Sequence, residues 1–273
     1  MIETNQPLVG RTILIPPDDV HNRELSAELT RHGARVIAWP KVEIVDPESF
    51  ADLDEAIQNL FGYDWLIFAN THAAGFFLRR LQNLGHEIGE LDALRVCALD
   101  AATRQQLEEA HVHVDLSPER PATDGVLAAL ETYTGGPNSL RGRTFLLPRA
   151  TISRDYLRQA IAAAGARADS VAAYRTAGSY DSELVQLSVV LEGGGIDCVV
   201  FTTPPSVRDF SQLFDTNDLP RLLTDVVVAC VDEAATQAAA EFELCPQITP
   251  VEFTIPELAR AISSCFPTNY WTV

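Results

Sequence analysis

The chain has 273 residues, 47% of them hydrophobic, and a formal net charge of −18. That length and apolar content suffice for two buried cores. The charge excludes nucleic-acid binding, which needs concentrated Lys and Arg, and no apolar run approaches the ~20 residues of a membrane span.

From the N-terminus, "MIETNQPLVG" carries an acid and no apolar segment, so it does not read as a secretory signal. "RTILIP" is a short apolar run, the pattern of a buried strand. "HNRELSAELTRHG" places Leu25 and Leu29 on one helical face and stops at Gly33. "ARVIAWPKVEIV" is extended and interrupted at Pro40. "FADLDEAIQNLFG" predicts a helix, "DWLIFA" a buried strand, and "THAAGFFLRRLQNLG" a helix capped by Thr71. "LRVCAL" reads as a strand, "AATRQQLEEA" as a helix, "HVHVDL" as a short edge strand and "TDGVLAALETY" as a helix. "TGGPNSLRG" at 134–142 is the clearest linker. The alternation then returns: strand "RTFLLP", helix "SRDYLRQAIAAAG", extended "ARADSVAAYRTAG", helix "SELVQLSVVLEGG", strand "DCVVFT", helix "PSVRDFSQLF" and strand "DVVVACV". Helices "EAATQAAAEF" and "PELARAISSCF" close the chain, before a tail "PTNYWTV" without periodicity.

The second half repeats the first. "LVGRTILIP" at 8–16 returns as "LRGRTFLLP" at 140–148, and "YDWLIFAN" at 63–70 as "IDCVVFTT" at 196–203. "VCALDAAT" returns as "VACVDEAAT", and "TDGVLAALETY" as "TIPELARAISSCF". Two similar α/β modules follow, each with a doubly wound parallel sheet, and small-molecule chemistry is expected in the cleft between them.

Several chemistries fail on position. Gly193, Gly194 and Gly195 precede a strand, whereas a phosphate loop must follow one and open a helix; no nucleotide cofactor is expected. Asp18 and Asp19 resemble a receiver-domain acidic pair, but Asn70 stands where the phosphoacceptor aspartate belongs. His111 and His113 share a strand face without a third metal ligand, and no GxSxG elbow occurs. The five cysteines lack CxxC spacing and read as buried, reduced core thiols, without zinc, in a cytosolic protein.

The strand-to-helix loops remain. They are rich in small polar residues: Asn70, Thr71, His72, Thr103, Thr202, Thr203, Ser206 and Thr236. Helix capping explains any one of them; facing one cleft, the set reads as ligand contacts. Tyr174, in "VAAYRT", reads either as an amphipathic filler or as a functional phenol.

These segments resemble the uroporphyrinogen-III synthase family in order and spacing. The resemblance is carried by "GRTILI", "LSAELTRHGARVIAWPKVEI", "YDWLIFANTHAAGFFLRRL", "VCALDAAT", "GRTFLLPRATISRDYLRQAIAAAGARADSVAAYRT", "DCVVFTTPPSVRDF", "VACVDEAATQAA" and "TIPELARAI". It implies two flavodoxin-like doubly wound domains joined by a two-stranded β-ladder. The first domain would comprise 1–39 plus 178–273, the inserted second domain 44–173, and the ladder 39–46 and 171–179. It implies a cytoplasmic, monomeric enzyme without cofactor or metal, serving porphyrin and heme biosynthesis. The enzyme would cyclise the linear tetrapyrrole hydroxymethylbilane, invert ring D and lose water, with hydroxymethylbilane synthase as a candidate partner. Tyr174 matches the family tyrosine implicated as the acid that helps the hydroxyl leave. Thr103, Thr203 and Thr236 match cleft-lining positions, and Arg149 is the arginine that the second copy keeps after its first strand. This chain departs from the family where a glycine before the helix becomes Asp100, and Asp232 or Glu233 in the second copy. A carboxylate there occupies the amides a substrate carboxylate would use. The rival expectation is therefore a catalytically altered or inactive member that binds a ligand or regulates.

Overall fold

A computed structural model of the chain describes residues 6–17, 20–41, 43–151, 153–177 and 181–266. Asp18, Asp19 and the tail 267–273 lie outside the described residues. In chain order the first elements are β1 Thr12–Ile15, α1 Val20–Arg31, β2 Arg35–Ala38, β3 Glu43–Val45, α2 Ala51–Gln58, β4 Trp65–Phe68 and α3 Thr71–Asn83. Next come β5 Arg95–Ala98, α4 Ala101–Glu109, α5 Thr123–Thr134, β6 Thr144–Ala150, α6 Tyr156–Ala163 and β7 Arg167–Ala177. The last are α7 Asp181–Glu192, β8 Cys198–Phe201, α8 Pro204–Leu213, α9 Leu219–Leu222, β9 Val227–Cys230, α10 Glu233–Glu241 and α11 Ile255–Cys265.

Contacts divide the chain into two compact units. One comprises Met1–Lys41, Gly178–Phe210 and Leu219–Val273; the other comprises Val42–Ala177 and Ser211–Asp218. The first holds a parallel sheet of order β2-β1-β8-β9. The second holds a sheet of order β3-β7-β6-β4-β5, parallel except for β3, which runs antiparallel to the end of β7 with Glu43 opposite Ala177.

Period-two alternation fills the second unit on both sheet faces. Trp65, Ile67, Cys97, Phe145 and Leu147 pack with α5 and α6 residues such as Val126, Leu130 and Ile161. The intervening Leu66, Phe68, Val96, Ala98 and Leu146 pack with Leu53 and Ile57 of α2 and with Phe77 and Leu81 of α3. A parallel strand with both faces buried must be apolar throughout, as "WLIF" is. In the first unit Ile13, Ile15, Cys198 and Val200 pack against Leu25 and Leu29 of α1 and Leu258 and Ile262 of α11.

The repeat has a physical content at its aspartates. Asp64 Oδ2 accepts from the Thr144 amide at 2.8 Å, and Asp197 Oδ2 accepts from the Thr12 amide at 2.8 Å. Each carboxylate thus clips the start of one strand to that of its neighbour. Arg11 pairs with Asp197 at 2.7 Å, and Arg143 stands 4.0 Å from Asp64. The glycines before these arginines, Gly10 and Gly142, have φ of 80° and 76°, a left-handed turn that favours glycine.

Some sequence expectations are corrected. Residues 111–114 form no strand; His111 has φ 63° as the chain turns out of α4, and only Leu116 makes a bridge, to Cys97. Asn70, not Thr71, caps α3, accepting from the Ala73 amide through Oδ1 at 2.9 Å. Cys97, Cys198 and Cys230 are buried as expected, but Cys245 and Cys265 are exposed. Among the described residues no helix is long and apolar enough to cross a membrane.

Candidate active site

The strand order of the second sheet reverses between β6 and β4: β4 leads outward to β5, β6 outward to β7. In such sheets the carboxyl ends of the two strands at the reversal leave a crevice where ligands meet the chain. Asn70 follows β4 and Arg149 ends β6. Tyr174 sits opposite Ala150 in β7, where the register shifts between Arg149 and Ala150.

The segment 211–218 closes this crevice. Asp215 Oδ1 accepts from the Tyr174 hydroxyl at 2.5 Å and from Asn70 Nδ2 at 3.0 Å. Its Oδ2 accepts from the Ala150 amide at 3.0 Å and lies 3.8 Å from Arg149 Nε. Asn70 Nδ2 also reaches the Tyr174 oxygen at 2.9 Å. Asn217 Nδ2 donates to the Ala69 carbonyl at 2.7 Å, and the Thr123 amide donates to Asp218 at 3.2 Å. Asp215 adopts φ 44°, in the left-handed region that aspartate tolerates better than most non-glycine residues.

The cluster is dry. Tyr174 is 1% exposed, Asp215 5% and Arg149 9%. Burial, followed by the charge and hydrogen bond of Asp215, holds the Tyr174 phenol well above its ordinary pKa, while the Asn70 hydrogen bond and the Arg149 charge act against the rise. The phenol therefore keeps its proton, and its hydroxyl donates a hydrogen bond to the carboxylate. Burial lowers the Arg149 pKa, and the charge of Asp215 opposes that. Arg149 is further held by Asp155, Ser153 and Ser170. Beside Asp215 and Arg149 lies a cavity of about 50 Å³, also lined by Arg154, Thr123 and Asn217.

Three sequence candidates, Asn70, Arg149 and Tyr174, therefore converge on one carboxylate. The His72 ring lies 6.0 Å from that of Tyr174, and Thr71 is the half-buried first residue of α3. Thr103 is elsewhere in this unit: fully buried, it bonds through its amide (2.7 Å) and hydroxyl (2.9 Å) to Asp100, the cap of α4. The remaining three belong to the other unit. Thr203 and Ser206 bond each other reciprocally at the start of α8, and the Thr236 hydroxyl donates to the Asp232 carbonyl at 2.9 Å. Asp232, rather than Glu233, caps α10 and accepts from the Ala235 amide at 2.8 Å. Sequence reading missed Asp215; it lies in "FDTND", which matches no motif and has no counterpart in the first repeat.

A parallel-sheet α/β protein with a buried polar cluster at the reversal of strand order belongs to the class that binds small molecules at strand carboxyl ends. The comparisons narrow it. The family model described as uroporphyrinogen-III synthase HemD matches residues 23–260, and the chain belongs to that family. It is 26% identical over 262 residues to the uroporphyrinogen-III synthase of Synechococcus elongatus, covering 94% of this chain and 96% of that one. It is 22% identical to the synthase of Chlorobaculum parvum, covering 93% and 98%. The structure of Thermus thermophilus uroporphyrinogen III synthase shares the fold, with a TM-score of 0.52, 20% identity, and coverage of 93% and 98%.

Proposed function

We propose that this chain is a working uroporphyrinogen-III synthase that cyclises hydroxymethylbilane, inverts ring D and releases water. The observation that carries the reading is the convergence of Tyr174, Asn70 and Arg149 at the sheet's reversal point, in a chain of this family. Loss of the substrate's hydroxyl as water leaves an azafulvene cation. The terminal pyrrole attacks it, and the spiro intermediate fragments and recloses. The substrate supplies the electrons, so the protein has to fold the chain, protonate the departing hydroxyl and exclude water. Tyr174 is the acid in this reading; its raised pKa keeps the proton in place until the phenol turns from Asp215 to the substrate. Thr71, His72, Thr103, Thr203, Ser206 and Thr236 would contact substrate, with no cofactor or metal.

The reading includes two flavodoxin-like domains joined by a two-stranded ladder at about 39–46 and 171–179, which the antiparallel β3–β7 pairing supports. The domains would span 1–39 plus 178–273, and 44–173. It includes a cytoplasmic monomer fed by hydroxymethylbilane synthase. The rival reading, an altered or inactive member, is favoured by one observation: Asp100 and Asp232 already satisfy amides at the starts of α4 and α10. The assay separates the two. Purified chain is given fresh hydroxymethylbilane, the product is oxidised, and porphyrin isomers are resolved. Type III above the spontaneous type I background supports the enzyme; type I alone from folded protein defeats it.

A further inference from the structure

The cluster around Asp215 has the composition of an anion site that is already full. Three donors reach one carboxylate: the Tyr174 hydroxyl, Asn70 Nδ2 and the Ala150 amide. Arg149 supplies positive charge 3.8 Å away. The Ala150 amide is directed to Asp215 at the point where β6 and β7 lose register. Such charge-assisted bonds to a buried carboxylate are strong, and the crevice they occupy is where this fold class places its ligands.

The carboxylate comes from outside the unit's main stretch of chain. Residues 211–218 group with the second unit, yet 178–210 and 219–273 on either side group with the first. The backbone of Asp215 lies in the left-handed region at φ 44°, which aspartate tolerates better than most non-glycine residues. At the reversal between β1 and β8 in the first unit, among the described residues, the Thr202 hydroxyl donates to Asn22 at 3.2 Å, and Asn22 Nδ2 donates to the Pro17 carbonyl at 2.8 Å.

We propose that Tyr174, Asn70, the Ala150 amide and Arg149 form a carboxylate-binding site that Asp215 occupies as a tethered, displaceable stand-in. Rested on the function proposed above, the exogenous ligand is a carboxylate arm of the octa-acid substrate, and departure of Asp215 releases the Tyr174 hydroxyl for the leaving group. The fixed geometry of its loop makes Asp215 an intramolecular competitor at an effective concentration far above the millimolar level of a flexible linker. A single small carboxylate therefore displaces it poorly, while a multidentate acid does so readily.

The test uses acetate as the probe and thermal unfolding of the full chain as the readout, so it needs no turnover. Asp215→Gly removes the stand-in and suits the left-handed backbone; Asp215→Asn tolerates that backbone and leaves the loop's shape. At constant ionic strength, replacing chloride with ~100 mM acetate is expected to raise the Tm of Asp215→Gly by about 3 °C and that of the unsubstituted chain by less than about 1 °C. Adding Asn70→Ala to Asp215→Gly is expected to abolish the response. Equal acetate responses in Asp215→Gly and the unsubstituted chain overturn the proposal. So does failure of both Asp215→Gly and Asp215→Asn to fold, since the carboxylate would then be a fixed structural part. A chain that makes no type III isomer but whose Asp215→Gly variant responds to acetate keeps the site and loses only the assigned substrate.

Discussion

The Tyr174 hydroxyl donates to Asp215 at 2.5 Å, joining the middle of β7 to a loop 41 residues further along the chain. The bond runs to a buried charge, so its loss costs about 1.5–3 kcal/mol. Tyr174→Phe is expected to lower the urea-unfolding free energy by that amount and stay folded, because domains of this kind have about 5–15 kcal/mol in hand. Turnover of hydroxymethylbilane to the type III isomer is expected to fall as well. An unchanged turnover removes Tyr174 from the mechanism.

Alkaline pH should act most through the two less exposed of the raised phenols, Tyr63 and Tyr174. The Tyr63 hydroxyl donates to Asp169 at 2.9 Å; burial, then that hydrogen bond and the Asp169 charge, push its pKa up to about 12 from 10.0, against a lowering by Arg167. Tyr174 is raised too, by burial first. A raised pKa means the folded state binds the proton more tightly than the unfolded state. For Tyr63 the stabilisation is complete below pH ~10 and is lost as pH rises through ~12. Ultraviolet titration of the six tyrosines is expected to show late-ionising phenols, one fewer in Tyr63→Phe and one fewer in Tyr174→Phe. Early, uniform ionisation in the folded chain would contradict the buried hydrogen bonds.

The repeated aspartates give an asymmetric pair. Asp197 accepts from the Thr12 amide and pairs with Arg11 at 2.7 Å. Asp64 accepts from the Thr144 amide and hydroxyl, with Arg143 at 4.0 Å. Asparagine keeps one acceptor oxygen but turns an NH2 toward the second partner. Asp197→Asn is therefore expected to cost more than Asp64→Asn, by about 1 kcal/mol, in paired denaturant titrations. Equal losses would mean that the arginine at Asp197 adds nothing, as holds for many exposed pairs.

These aspartates show what a single sequence makes legible. Repeated segments exposed the strands, since a buried parallel strand has to be apolar along its whole length and "WLIF" and "CVVF" are. The same comparison picked out Asp64 and Asp197 without revealing that they clip strand starts together. Asn70 was readable as a candidate because it follows a buried strand and opens a helix, and Tyr174 because the resemblance matches it to the family tyrosine. Asp215 was not: its partners lie 145, 65 and 41 residues away, and no local pattern encodes contacts that distant. The strand expected at His111–Leu116 failed for a local reason, a left-handed His111 that ends α4 where alternation suggested pairing.

The caps Asp100 and Asp232 decide whether the departures from the family pattern matter for binding. Neither backbone needs glycine, with φ of −139° and −148°, so the side chains are there for their carboxylates. Replacing an aspartate cap by glycine costs only a few tenths of a kcal/mol. Asp100 in addition accepts from the Thr103 hydroxyl, and Thr103 is fully buried; leaving that hydroxyl unpaired adds about 1 kcal/mol. Asp232→Gly is thus expected to be nearly neutral in denaturant titrations, and Asp100→Gly measurably weaker. Both substitutions return amides at a helix start to an incoming anion. On the proposed function the KM for hydroxymethylbilane falls in both, and most in the double variant, because one negative charge leaves each helix start. An unchanged KM in the folded double variant means that substrate carboxylates do not use these helix starts, and the capped aspartates then carry no weight for an inactive member.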